Sequence, residues 1–197
     1  VGIAEEISPD ADWIDEAVAF IDTETTGRDP ELDRIVELGV VIGRGGTIVS
    51  EKSWLFNPGQ PISAESTAVH GITDDDVRDK PPFRECVAEI ALLLREAIPA
   101  AYNAAFDKAF ILAELSRSGP LPVNLPPAFR REVEWTDPLI LARELHQDAE
   151  SRALGEMAAR LGITIERAHR ATDDARAALE VLYAFAKSDR VPRKYAA

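Results

Sequence analysis

Four carboxylates and one histidine stand where an apolar chain has no ordinary use for them. Asp22 closes the apolar run AVAFID (17–22), and Glu24 follows two residues later. In an extended chain, residues two apart point to the same side. Two carboxylates on one side repel unless a cation lies between them; otherwise one caps the following TTG turn and the other is solvated. Asp107 falls after AAYNAAF, in the first turn of a predicted helix. An acid there also complements the helix dipole. Asn103, four residues earlier, is placed to fix the loop or a ribose. Asp174, in AHRATDDARAA, is again a first-turn acid, and Asp173 competes for its role. His169 lies five residues before Asp174. A histidine just ahead of a carboxylate-bearing helix is a candidate general base. Hard oxygen donors of this kind suit Mg²⁺ or Mn²⁺ better than zinc. Two such cations, roughly 3.5–4 Å apart, activate water and stabilise a leaving oxygen in phosphodiester cleavage. His169 would then take the proton of the attacking water.

These residues need a scaffold, and the hydrophobic pattern predicts an α/β one. Residues 17–22 and 34–43 read as buried strands, and Gly45-Gly46 turns the second into a third over 47–57. Ser63 and Thr73 look like helix N-caps. A helix is predicted over 84–97, a short strand over 100–102 and a helix over 105–117. The Pro-rich stretch 119–127 is a loop. A fifth strand is expected over 132–135 and a helix over 138–145, opened by Pro138 after Asp137. Ser151 is expected to cap a helix that Gly162 stops, and a last helix runs over 172–186. Three strands, then helices alternating with two more, give a five-stranded mixed sheet with helices on both faces.

Length and composition bound the rest. The 197 residues make one domain with tails, and 46% hydrophobic content excludes an acidic disordered chain. The formal charge of −13 excludes a simple basic nucleic-acid binder. The charge is unevenly placed. Residues 1–17 hold Glu5, Glu6, Asp10, Asp12, Asp15 and Glu16 with no base, and read as a loosely held acidic arm. The body of the domain is 18–187, and 188–197 is a short basic tail. Arg28, Arg130, Arg131, Arg170 and Arg176 are candidates for phosphate contact. Without a basic field, unaided affinity for nucleic acid is expected to be weak and turnover distributive. The one cysteine, Cys86, allows no intrachain disulfide and reads as a core thiol. No apolar run is long enough for a membrane span and no signal peptide is apparent, so a cytoplasmic setting is expected. The chain opens on Val1, consistent with trimming or with a piece of a longer chain.

Four motifs in order carry a resemblance. FIDTETTG (20–27), VHGIT (69–73), YNAAFD (102–107) and HRATDDA (169–175) are each weak alone. Together, over roughly 18–186, they resemble the DnaQ-like 3′→5′ exonucleases of the DEDD superfamily. The histidine five residues before the last aspartate indicates the His subclass, similar to DNA polymerase III epsilon-type proofreading domains. The resemblance implies an RNase H-like fold. It implies Asp22, Glu24, Asp107 and Asp174 as ligands of two Mg²⁺ (or Mn²⁺), and His169 as general base. Thr25, Thr26, His70 and Asn103 would line the pocket of the 3′-terminal nucleotide, with His70 alternatively a cap of the HGIT turn. The implied substrate is a nucleic-acid 3′ end, single-stranded DNA favoured, cut to nucleoside monophosphates. An RNase T- or oligoribonuclease-like RNA exonuclease is the alternative, as is a proofreading subunit acting with a polymerase. A non-catalytic binding module would have lost a carboxylate or the histidine. Tyr102 departs from the histidine many members carry there. Arg28 stands where RNase T-like members place an aromatic wedge. No convincing clamp-binding peptide follows the domain, so a free-standing exonuclease or an excised domain is expected.

Overall fold

The computed structural model describes residue 4 and residues 6–195. β1 (Val18–Thr25), β2 (Ile35–Arg44) and β3 (Thr47–Leu55) come first. Three helices follow: α1 (Ala64–His70), α2 (Asp74–Val77) and α3 (Phe83–Leu93). β4 (Ile98–Ala100) leads into α4 (Ala104–Arg117), and a 3₁₀ turn at Pro127–Phe129 precedes α5 (Pro138–Leu145), α6 (Leu154–Leu161) and α7 (Ala171–Phe185). Among the described residues the sheet has four strands in the order β3-β2-β1-β4, with β1 antiparallel to β2 and parallel to β4. β2 and β3 are antiparallel, as the Gly45-Gly46 hairpin predicts.

The central strands are buried on both faces, which their unbroken apolar sequence dictates. Ala19, Ile21, Leu38 and Val40 face a layer containing α3 and α4, with Phe83, Ile90, Phe110 and Ile111. Val18, Phe20 and Val41 face α5–α7, with Met157, Leu179 and Phe185. Odd and even residues of β1 thus point to different layers.

The fifth strand predicted over 132–135 is a single bridge, Ala100↔Thr136. Thr136 N–H donates to Pro99 O at 2.9 Å, and Ala101 N–H to Thr136 O at 3.1 Å. The next rungs on either side would need the N–H of Pro99 and of Pro138, and proline has none. The ladder therefore stops after one residue. The helix predicted over 84–97 ends at Leu93, because the chain must turn before Pro99 restricts Ile98 to an extended conformation. β4 is accordingly at 98–100 rather than 100–102.

Residues 1–3 and 5 of the arm read as loosely held lie outside the described residues, and the rest of it is packed. Ala4, Ile7 and Trp13 are buried in the α7 layer, and the Trp13 ring stacks on Tyr183. The tail clasps it. Asp12 bridges Lys194, Arg193 pairs with Asp12, and Trp13 Nε1–H donates to Pro192 O at 2.8 Å. Ser63 caps α1, and Thr73 donates through N–H and Oγ1–H to Asp76. Ser151, expected as the α6 cap, instead accepts from the N–H of Ala153, the residue at the N-cap position two further on. No helix of the described residues is long and apolar enough to cross a membrane.

Candidate active site

β4 pairs with β1 only along Val18–Phe20. Beyond Phe20 the β4 side of β1 has no strand beside it, and the carboxylates gather in that notch. Asp22 and Glu24 lie on the α7 face of β1, by strand parity. α7 brings Asp174 from its first turn to the same face. Carboxylate oxygens of Asp22, Glu24 and Asp174 lie within 4.8 Å of one another. Asp107 comes from α4, on the opposite face, and stands outside that trio, though near enough for its charge to act on Asp22. Thr23 Oγ1–H donates to Asp107 Oδ1 at 2.7 Å, and Asp107 is 4% exposed.

Burial and mutual repulsion hold these groups toward the neutral form. Burial pushes Glu24 up to about 8, helped by the charge of Asp174. Burial likewise pushes Asp107 up to about 7, against the opposing bond from Thr23. Asp22 is raised well above the carboxylate range by burial and then by Asp107 and Glu24. Asp174 is raised by burial while His169 N–H, bonded to its Oδ2 at 2.9 Å, opposes the shift. A cluster that resists ionisation when bare fits hard divalent cations, whose charge would reverse the balance.

His169 is exposed and left-handed, φ 63°. Beside the carboxylates is a cleft of about 560 Å³ lined by Glu24, Thr25, Arg28, Val69, His70 and Phe106, among others. A larger groove of about 810 Å³ follows the outer face of α4. Its lining includes none of the four carboxylates, so size alone is a poor guide here.

Comparison with known proteins fits this site. Residues 19–182 match the RNase T exonuclease family. The DNA polymerase III epsilon subunit of Treponema pallidum is 34% identical over 175 residues, 86% of this chain and 79% of that one. The chain belongs to the RNase T exonuclease family. The PolC-type DNA polymerase III of Thermotoga maritima is 33% identical over 183 residues, 93% of this chain. The chain spans only 13% of that PolC's length. Exonuclease X, solved with 5′-overhanging duplex DNA, shares 25% identity at a TM-score of 0.68, covering 89% of this chain and 95% of its own. Exonuclease I shares the fold at a TM-score of 0.76 and 19% identity, over 88% of this chain and 41% of its own.

The remaining expected residues of the site divide by availability. Thr26 is 1% exposed and its hydroxyl is saturated: it donates to Asp33 and accepts from Arg34 N–H and Gln60. Thr26 thus lies in the cleft lining with its hydroxyl already taken by the loop. Thr25 Oγ1–H donates to Gly27 O. His70 is buried, accepts from Ile72 N–H through Nδ1 at 3.0 Å and approaches Thr25 O through Nε2 at 3.2 Å. That is the turn cap, with the ring still on the cleft wall; burial lowers its basicity. Asn103 is exposed and left-handed, φ 67°. The N-terminus of α4 is capped instead by Asp137, which accepts from the N–H groups of Asn103 and Ala104 and also caps α5 at Leu139. Asp137 was legible only as the residue before Pro138. Tyr102 donates to Arg152 O at 2.5 Å, and so ties down the 146–153 loop. Of the five arginines offered for phosphates, three are already paired: Arg130 with Glu6, Arg170 with Glu37 and Arg176 with Glu51.

Proposed function

We propose that this domain is a metal-dependent 3′→5′ exonuclease that releases nucleoside monophosphates, with single-stranded DNA as the favoured substrate. The observation that carries the reading is the convergence of Asp22, Glu24 and Asp174 within 4.8 Å, with Asp107 beside them, at the mouth of an open cleft. Asp22, Glu24, Asp107 and Asp174 would hold two Mg²⁺ or Mn²⁺. When bound, such cations supply Lewis-acid activation of water and charge stabilisation at the leaving oxygen.

The chain's own residues do the rest. His169, exposed at the rim, accepts the proton of the attacking water. A new P–O bond forms, the P–O3′ bond breaks, and the shortened strand keeps a 3′-hydroxyl. Thr25 and His70 set the cleft wall, and the half-buried Phe106 and the 53% exposed Val69 offer apolar surface to the terminal base and sugar. Arg28, exposed at the lip, is free for a phosphate. DNA is favoured by the resemblance to epsilon-type domains and by exonuclease X bound to DNA. The same relatives support a polymerase as partner.

The test is a 3′-labelled oligonucleotide incubated with Mg²⁺ or Mn²⁺. Mononucleotide release that EDTA abolishes and Asp22→Asn reduces at least 10²-fold is expected. Full activity in Asp22→Asn, or release from the 5′ end, overturns the reading. Matched RNA in the same tube measures sugar preference.

A further inference from the structure

Glu37 is a charged residue inside an otherwise buried strand, 1% exposed, in RIVELGVVIG. Its carboxylate accepts from Arg170 twice, Nε at 3.1 Å and Nη2 at 2.7 Å. It also accepts from Ala171 N–H at 3.3 Å and from Ser53 Oγ at 3.0 Å. Two of these three partners are the first residues of α7 and its approach. Gly39, two residues along the same face of β2, lets that approach happen. A Cβ there would lie 2.3 Å from the Ala171 carbonyl carbon. Backbone therefore rests directly on the strand at Gly39, while Glu37 pins the residue before it.

We propose that the Glu37–Arg170 ion pair is a positioning device that sets His169 and Asp174 together, on the reading that those two serve catalysis. Arg170 is the residue after His169, and Asp174 follows one turn later. The two-pronged bond fixes the orientation of the Arg170 side chain, which a point charge does not. With Arg170 held, the chain entering α7 keeps the left-handed turn at His169, and His169 N–H stays on Asp174. Stability alone does not account for the pair. A buried ion pair seldom exceeds a packed apolar pair in stabilisation. Glu37 also adds a negative charge beside Asp22, Glu24 and Asp174 and raises all three. Such a placement is tolerable because Arg170 offsets the charge and returns geometry. Glu37 and Arg170 are positioning residues, acting through their neighbours.

The experiment compares wild type with Arg170→Ala, Arg170→Lys and Glu37→Gln by three readouts. These are kcat and KM on an oligonucleotide, Mn²⁺ affinity of the free protein by calorimetry, and folded fraction by circular dichroism. Arg170 is partly exposed, so its truncation does not leave a large hole in the core. For Arg170→Ala and Glu37→Gln, kcat per folded molecule is expected to fall about 10–100-fold with KM changed less than about threefold, and Mn²⁺ affinity to fall about tenfold. Arg170→Lys is expected to recover only part of kcat. Folded Arg170→Ala with wild-type kcat and Mn²⁺ affinity overturns the proposal. So does a kcat loss that merely tracks the folded fraction. If wild type itself shows no metal-dependent release, the catalytic reading fails, and the Mn²⁺ affinities still decide whether the pair places Asp174.

Discussion

Three carboxylates within 4.8 Å of one another are an unstable arrangement without a counter-charge, and that instability is measurable. In the unfolded chain Glu24 and Asp107 release their protons near pH 4. In the folded chain they keep them to about 8 and about 7. Between those limits the native state binds more protons, so its stability falls as pH rises. Thermal melts in EDTA should therefore show Tm dropping from pH 5 to pH 8. Mg²⁺ should raise Tm more at pH 8 than at pH 5, because it favours the ionised carboxylates. A flat EDTA profile would falsify the assignment of protons to the cluster. His169 makes a separate prediction. Its side chain is exposed, so His169→Ala should leave the unfolding free energy within about 0.5 kcal/mol of wild type. Its kcat should fall roughly 10²–10⁴-fold, the range for a positioned base. Single-turnover kinetics with saturating enzyme separates that loss from weaker binding.

At the scale of elements, prolines and glycines decided what polar residues could reach. Pro99 and Pro138 reduced the predicted fifth strand to one bridge. The residues 132–135 have strand-like composition, and the pattern alone predicts a strand. What prevents one is the facing register of two prolines far apart in sequence, which periodicity does not encode. Gly39 is the converse case. It reads as one small residue in an apolar strand, yet it is the contact through which α7 sits on β2. Gly39→Ala should destabilise the domain by about 1–3 kcal/mol, as overpacking of a filled site does. Urea unfolding monitored by tryptophan fluorescence measures it, and a change below about 0.5 kcal/mol would show that α7 yields without strain. The double cap at Asp137 belongs here too. One carboxylate starts both α4, which carries Asp107, and α5.

For the whole molecule, the described residues near both chain ends pack on the body. The acidic 1–17 stretch lacks a clear period, and its charge argued for a solvated arm. The structure instead buries Trp13 at 8% exposure against Tyr183, pairs Asp12 with Arg193 and Glu6 with Arg130, and has Lys194 Nζ donating to the Asp10 backbone carbonyl. Trp13→Ala should cost about 3–5 kcal/mol, the usual range for removing a large buried aromatic. Differential scanning calorimetry would register that as a Tm fall of several degrees for a chain of this size. An unchanged Tm would mean that the arm rests on the body without supporting it. The pairing also spends basic residues. Arg130, Arg170 and Arg176 answer acids of this chain, which leaves Arg28 and Arg131 exposed and without an ion pair among the described residues.

The sequence by itself singled out the candidate site residues. Asp22, Glu24, Asp107, His169 and Asp174 are legible because carboxylates are costly in apolar segments, and their order and spacing match one family. It also determined the hairpin, the Gly162 stop and the α/β class, since turns and hydrophobic periods are local properties. The tertiary structure decided which of those carboxylates meet. Parity puts Asp22 and Glu24 on the face that receives Asp174, while Asp107 comes from α4 in the other layer. It decided that Thr26 is sealed, that His70 caps a turn, and that Glu37 and Arg170 join across 133 residues. Those outcomes depend on which distant surfaces come into contact, and a buried hydrogen bond between distant residues leaves no period in the chain that carries it.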